Sequence, residues 1–166
     1  MLKKIKWTGI SLLLLIIVFF VLRGCSSDNV GDVSLGIFTT KDIKIEALTD
    51  PEVPGVTCHI SNIVADLNFT DPSDSSISCR QTGEITHQML ANIDRSKGGE
   101  QVFKKSQSIL FKSLKINRIY DESTLSLIYI AFSTQEFNGN YQHSMSTVPL
   151  WGTEAYQSAV EAAKAK

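Results

Sequence analysis

The chain has 166 residues, of which 43% are hydrophobic and 20% are charged, and its formal net charge is −1 at pH 7. This length and balance predict one globular domain with a sizeable core and are atypical of a disordered chain. A net charge so close to zero provides no overall attraction for nucleic acid, so we expect no nucleic-acid partner.

Residues 1–25 have the pattern of an export signal or a membrane anchor. Three lysines precede an apolar run over residues 7–22, and this order is typical of segments that direct export. As a helix the run would be about 24 Å long, shorter than the ~30 Å hydrocarbon core of a bilayer. Because basic residues stay on the cytoplasmic side, the segment predicts a domain anchored on the periplasmic side of the membrane.

The apolar run ends in Leu22, Arg23, Gly24 and Cys25, an order that resembles a bacterial lipobox, in which the cysteine becomes lipidated. A charge such as that of Arg23 is normally excluded from this motif. Two modes of attachment therefore stay open, a lipid on Cys25 or an uncleaved signal anchor. Both tether the remaining chain to the membrane on its outer side.

Residues 26–41 are polar, contain two glycines and show no strong period, which predicts a linker. Residues 42–48 alternate isoleucine and alanine with charged residues and predict a half-buried strand. Residues 56–60 predict the next strand, and residues 63–69 fit either a strand or one helical turn. The main domain is expected to cover residues 42–150.

Three cysteines are present, and if Cys25 carries lipid then Cys58 and Cys79 remain as an even pair. Each lies in a short segment with the pattern of a strand, so a bridge between neighbouring strands is expected in an oxidising compartment. A redox-active pair is the alternative, although catalytic dithiols usually lie two residues apart. We therefore predict a structural Cys58–Cys79 disulfide.

The second half of the chain is predicted to contain a β-hairpin and up to two short helices. Apolar residues recur at helical spacing from Ile85 to Ile93, although a loop with buried apolar anchors fits equally well. Two runs of period two flank the turn formers of residues 121–123 and predict the hairpin. Residues 137–146 predict a loop and residues 147–151 a short edge segment.

The C-terminal segment, residues 151–166, predicts a helix that starts after Thr153, which is a suitable N-cap. Glu154 suits the positive end of the helix dipole, and Lys164 suits the negative end. The predicted fold is therefore mainly β, an antiparallel sandwich or partly open barrel with one or two short helices. An N-terminal membrane-anchoring helix precedes it.

Several stretches of the chain have a distinctive order and spacing, namely residues 50–53 and 55–58, 74–81 with Gly83, 102–105 and 110–114, 118–121, and 146–149. Together they resemble the bacterial CreA family. The resemblance implies a small exported protein, encoded in some bacteria beside a sensor kinase and a response regulator. It implies no biochemical activity, and therefore no catalytic residues.

The candidate site residues are few. His59, His87 and His143 show no short-range ligand spacing, so neither a metal site nor a cofactor is predicted. A cluster of basic residues is a candidate basic face toward anionic lipid, although a solvated strand face is the simpler interpretation. The members of this cluster, apart from Lys97, are Lys104, Lys105, Lys112, Lys115 and Arg118.

Together these patterns favour a membrane-tethered periplasmic module that binds a ligand or an envelope protein, or supports the envelope, without catalysis. The alternative is a small periplasmic hydrolase or metal-dependent enzyme that uses the three histidines.

Overall fold

A computed structural model describes residues 28–36, 41–65, 75–103, 114–134, 136 and 139–164. It is mainly β, with two antiparallel four-stranded sheets and two short helices, in agreement with the predicted class. The predicted anchoring helix of residues 1–25 lies outside the described residues. Among the helices of the described residues, none has the length and apolarity needed to cross a bilayer.

The strands follow the order of the chain in both sheets. Sheet one consists of β1 (Asp28–Ser34), β2 (Lys41–Thr49), β3 (Val56–Ala65) and β4 (Ser76–Gln81). Sheet two consists of β5 (Glu100–Phe103), β6 (Leu114–Asp121), β7 (Ser126–Ser133) and β8 (His143–Pro149). The helices are α1 (His87–Ala91) and α2 (Glu154–Lys164). Buried side chains from both sheets form one hydrophobic core.

The predicted hairpin is confirmed as β6 and β7, which pair from Leu114 with Ser133 to Asp121 with Ser126. The Asp121 side chain accepts hydrogen bonds from the Ser123 hydroxyl and the Thr124 hydroxyl, each at 2.6 Å, and so closes the turn. These bonds lower the pKa of Asp121 to about 2. Leu125 completes the turn with φ of 48°, an uncommon conformation for a residue other than glycine.

Sheet one has an inner face on the core and an outer face. Leu48 of β2 lies opposite Cys58 of β3, and both are buried in the core. Because side chains alternate between faces, the apolar residues at odd positions of β2 lie on the opposite, outer face. The outer face of sheet one therefore contains Val33 of β1 with Ile43, Ile45 and Ala47 of β2. The predicted strand is correct, but its alternating apolar residues do not face the core.

The predicted linker over residues 26–41 differs from the structure, because Asp28–Ser34 form strand β1 at the edge of sheet one. The register of β1 against β2 shifts between Asn29 and Gly31, which marks a β-bulge. An extra residue reverses the alternation of side chains within the strand, so no period of two is visible in the sequence. Residues 63–65, which fitted two interpretations, continue β3.

The two sheets meet where β4, the last strand of sheet one, packs beside β8, the last strand of sheet two. The Ser146 hydroxyl accepts a hydrogen bond of 2.8 Å from the backbone N–H of Cys79. It also lies 3.4 Å from the Cys79 carbonyl, to which it donates. β8 begins at His143, so the predicted loop of residues 137–146 ends earlier than expected.

The two helices are joined through the start of α2. Thr153 caps α2 as predicted, since its hydroxyl oxygen accepts from the Tyr156 N–H at 3.2 Å. The Ala155 N–H donates to the Ile85 carbonyl at 3.1 Å, and the Glu154 carboxylate accepts from the His87 N–H at the start of α1. The short C-terminal helix is therefore docked against the segment that contains α1.

Candidate functional site

The densest group of ionisable side chains in the described residues surrounds Arg118 of β6. Its guanidinium forms ion pairs with Asp50, Glu52 and Glu100. The phenol of Tyr129 completes the group by donating a 2.7 Å hydrogen bond to Asp50. We refer to these five residues as the Arg118 cluster.

The geometry of the cluster is that of strong, charge-assisted hydrogen bonds. Nη1 of Arg118 lies 2.7 Å from both carboxylate oxygens of Asp50. Nη2 lies 2.6 Å from Oε2 of Glu52 and also bonds Oε1 of Glu100. Nε of Arg118 is buried and has no hydrogen-bond partner among the described residues.

Local structure explains why Arg118 and Tyr129 point into the core. Arg118 shares the alternation of Leu114 and Ile116 along β6, and all three side chains are buried. Arg118 and Tyr129 also lie directly opposite each other on the paired strands β6 and β7. Side chains of opposed residues project from the same face, so both reach the interior.

Asp50 follows the last residue of β2, and its side chain organises the turn to β3. Its Oδ1 atom accepts hydrogen bonds from the N–H groups of Glu52 and Val53, at 2.9 and 3.1 Å. Such a turn is typical of aspartate, whose short side chain can bond the backbone two or three residues ahead. The same turn brings Glu52 to the guanidinium.

Gly99 determines how closely the strand β5 segment approaches β6. Its φ is +60°, and a Cβ atom built there would lie 2.0 Å from the Arg118 carbonyl oxygen. Only a residue without a side chain tolerates both conditions. Gly99 thus allows Glu100, the next residue, to reach the guanidinium.

Burial and the charge of Asp50 act in opposite directions on the pKa of Arg118 and in the same direction on the pKa of Tyr129. Burial alone would lower the pKa of Arg118, but the charge of Asp50 and hydrogen bonds to Asp50 and Glu52 raise that pKa above its ordinary value. Burial, together with the neighbouring Asp50 charge, raises the pKa of Tyr129 well above its ordinary value. Arg118 therefore stays cationic and Tyr129 stays a neutral hydrogen-bond donor at physiological pH.

The exposure of the members shows what the cluster can do. Arg118 is 1% exposed, and Asp50 and Tyr129 are 0% exposed, so their polar atoms face one another rather than solvent. The side chains of Glu52 and Glu100 are 44% and 27% exposed and lie at the edge of the cluster. This arrangement locks β2, β5, β6 and β7 together and offers no uncommitted nucleophile or base.

The predicted disulfide is present. Cys58 and Cys79 are bonded, with their Cα atoms 3.9 Å apart, and they lie directly opposite each other on β3 and β4. The N–H of Cys79 points to Ser146 of β8 and not to β3, so the cysteines form a non-hydrogen-bonded pair, the closer kind. Both are buried in the core, which is the position of a structural bridge.

The predicted basic face needs a correction at one residue. Lys115 is exposed, whereas Arg118 is buried, because residues three apart on a strand project from opposite faces. Arg118 therefore belongs to the core and not to a face shared with Lys115. Lys104, Lys105 and Lys112 lie outside the described residues, as does the candidate lipidation site, Cys25.

The histidines lie on separate elements. His59 is in β3 on the outer face, since its neighbour Cys58 faces the core. His87 begins α1, and His143 begins β8 with its ring near the Tyr141 carbonyl. In the described part of the chain, no three side chains of His, Cys, Asp or Glu are grouped as a metal site.

The sequence interpretation missed Asp50, Glu52, Glu100 and Tyr129 as partners of Arg118. One signal was available, since Arg118 follows Leu114 and Ile116 at every second position of β6 and so shares their face of the strand. An arginine at such a position needs buried partners, because an unpaired buried charge is very unfavourable. The identity of the partners was not readable, since Asp50 and Arg118 are 68 residues apart.

Comparison with known proteins gives the family. The family model described as CreA protein matches residues 30–153. Proteins named Protein CreA from Escherichia coli strain K12 and from Escherichia coli O157:H7 are each 39% identical over 115 residues, covering 65% of this chain and 72% of theirs. No solved structure matches the chain. Within the described part of the chain, the matched residues include most of β1, all of β2 to β8 and the Arg118 cluster. The chain belongs to the CreA family.

Proposed function

We propose that this CreA-family protein is a membrane-tethered periplasmic module that binds a ligand or an envelope partner, or supports the envelope, without catalysis. The observation that carries the proposal is the buried Cys58–Cys79 disulfide. Structural disulfides form and persist in oxidising compartments such as the periplasm and are rare in the cytosol. A basic segment followed by an apolar run at the N-terminus supports the same compartment.

The Arg118 cluster supports the non-catalytic part of the proposal. Catalytic acids, bases and nucleophiles need pKa values suited to proton transfer and access to a substrate. Here the pKa values of Arg118 and Tyr129 are both moved away from neutrality, and both side chains are buried. A buried cluster of this kind stabilises the fold, so a ligand or a partner would bind at the protein surface.

Surface composition supports binding. Six large apolar side chains of the described residues are exposed, in two groups on opposite edge strands and their flanks. One group is Val30, Val33 and Leu35, and the other is Tyr141, Met145 and Trp151. Exposed apolar groups of this kind mark interaction surfaces when they are clustered.

The proposal is tested by locating the full chain in cells. A C-terminal tag should fractionate with the membrane and be removed by a protease added to cells with a permeabilised outer membrane. In protein denatured before labelling, Cys58 and Cys79 should resist alkylation unless a reductant is added first, because denaturation exposes both buried sulfurs. As a control, a variant lacking residues 2–22 should stay in the cytosol, and its two core cysteines should then be alkylated.

The decisive contrary result is a full-length protein whose tag resists protease in intact spheroplasts and whose core cysteines react with the alkylating reagent. This result would place the domain in the reducing cytosol and end the proposal of a periplasmic module.

A further inference from the structure

Sheet one has an unusual distribution of apolar residues near β1. On its inner side, Asn29 and Asp32 of β1 adjoin Glu46 and Lys44 of β2, so this part of the inner side is polar. On its outer side, Val33 lies opposite Ile43, and Gly31 lies opposite Ile45. A surface that is apolar on the side away from the core is stabilised when something covers it.

The exposure of this region is substantial. Val33 is 52% exposed, and Val30 and Leu35, which flank it in the chain, are 56% and 44% exposed. Ile43 and Ile45 are half-buried in the same outer face. The apolar residues thus continue from the edge strand onto the neighbouring strand and form a patch rather than isolated side chains.

The edge itself is poorly suited to pairing with another strand. The bulge at Val30 interrupts the register of β1, and bulges are a common protection of edge strands against further pairing. The Asn29 side chain also accepts a hydrogen bond from the Gly31 N–H at 3.1 Å and donates to Asp32 at 3.2 Å. A covering surface would therefore contact the apolar side chains on the face of the sheet and would not pair with the edge of β1.

The chain length before β1 indicates the surface nearest to this patch. Only five residues, 23–27, separate the end of the apolar run at Leu22 from Asp28, the first residue of β1. Fully extended they span about 17 Å. With a lipid on Cys25 the connection is shorter, since only Ser26 and Ser27 remain between the lipidated residue and β1.

We propose that the outer face of sheet one, led by Val33, lies against the lipid surface of the membrane that anchors the chain, with the exposed side chains of Val30 and Leu35 beside it. The inference rests on the proposed function, because it requires the N-terminal segment to be membrane-attached. A short tether raises the local concentration of the bilayer. The exposed valine and leucine side chains would then bury apolar area at the membrane surface, which favours binding.

Tryptophan fluorescence of the full chain in lipid vesicles tests this contact. Trp7→Phe and Trp151→Phe remove the native fluorophores, and Val33→Trp then places one reporter on the patch. The matched control is Met145→Trp, on an exposed position of β8 in sheet two, where Met145 is 63% exposed. Each variant is reconstituted in phosphatidylcholine vesicles, with or without lipids brominated near the headgroup end of one chain.

The expected result is a blue-shifted Val33→Trp emission that loses most of its intensity with brominated lipid, while Met145→Trp is unchanged. Val30→Trp provides a second reporter on the patch if Val33→Trp does not form the native disulfide. Equal quenching at Val33 and Met145, or no quenching at both patch positions in protein that floats with vesicles, overturns lipid contact and leaves the tether intact.

Two further outcomes separate the remaining explanations. Protein that does not float with the vesicles overturns the tether, and the lipid contact with it. In detergent, a blue shift of the Val33→Trp emission that grows with protein concentration would show that a second copy of the chain covers the patch. This result overturns the proposal that the lipid surface covers it.

Discussion

At the scale of single residues, Arg118 is paired with carboxylates from two separate parts of the chain, Asp50 and Glu52 in the turn after β2 and Glu100 in β5. A buried ion pair adds little net stability compared with a well-packed apolar pair, because both charges lose their hydration. Removing only one partner of the pair is much more costly, because the other charge stays buried without a counter-charge. The cluster is therefore sensitive to single substitutions and selects one arrangement of β2, β5, β6 and β7.

We expect Arg118→Met to lower the free energy of unfolding by about 3–5 kcal/mol, because Asp50 would remain buried without its cation. Urea unfolding followed by circular dichroism measures this change. Lys115→Met is the matched control on the same strand, and its exposed side chain should change stability by no more than about 0.5 kcal/mol. Equal unfolding midpoints for the two variants would contradict the structural role of Arg118.

Tyr129 makes the stability dependent on alkaline pH. Its pKa is raised in the folded protein, so the unfolded chain releases this proton first, at its ordinary pKa of about 10. The stabilisation is fully present below about pH 10 and is lost as pH rises above that value toward the folded pKa.

Thermal unfolding from pH 7 to about pH 11 tests this dependence. Tyr129→Phe should be less stable than the parent at neutral pH by about 1–3 kcal/mol, because Asp50 loses a buried donor. The difference between the two proteins should shrink at alkaline pH. A difference that is constant over the whole range would show that the Tyr129 proton is not linked to folding.

At the scale of elements, β3 and β4 are held by the disulfide, and β4 is held to β8 by Ser146. The bridge and the hydroxyl act at the same place, since both involve Cys79. The two sheets are therefore connected along one line, from Cys58 through Cys79 to Ser146.

The disulfide should stabilise the domain by about 3 kcal/mol on the chain-entropy model, given the sequence separation of 21 residues. The double variant Cys58→Ala and Cys79→Ala should melt at a lower temperature than the oxidised parent. A reductant should lower the melting temperature of the parent and leave the double variant unchanged. Insensitivity of the parent to complete reduction would contradict a stabilising role.

Ser146→Ala should cost about 1–3 kcal/mol, because the Cys79 N–H would lose its acceptor. Ser144→Ala is the matched control two residues away, since the Ser144 hydroxyl is buried without a hydrogen-bond partner in the described part of the chain. That control should be neutral or slightly stabilising. Chemical unfolding measures the free energy of unfolding of both variants. An equal decrease in the two would show that the Ser146 hydrogen bond between β4 and β8 has no specific role.

At the scale of the whole molecule, the two modes of attachment differ in the mass of the mature protein. If the attachment is a lipid on Cys25, membrane-extracted protein should lack residues 1–24 and carry acyl chains. Cys25→Ala should retain residues 1–24 and remain unacylated. Intact-mass measurement distinguishes these forms, and an identical full-length, unacylated start in both proteins would establish the uncleaved signal anchor.

Local patterns allowed much of the fold to be predicted. The hairpin of β6 and β7 was readable because both strands alternate regularly and a cluster of turn formers separates them. Thr153 and Glu154 marked the start of α2 for similarly local reasons. β1 was not readable, since its bulge breaks the alternation, and β8 was partly hidden by the polar residues at its start.

The sequence by itself determined the strands with regular alternation and the cap of α2, because each depends on neighbouring residues. It indicated the Cys58–Cys79 pair once Cys25 was set aside as a lipidation site. Tertiary structure alone decided that Asp50 is the buried partner of Arg118, and that the isoleucines of β2 lie on the outer face. The first depends on which residues meet across 68 positions of the chain, and the second on which side of β2 meets the core. Both are set by contacts between residues far apart in the chain, and no local pattern contains them.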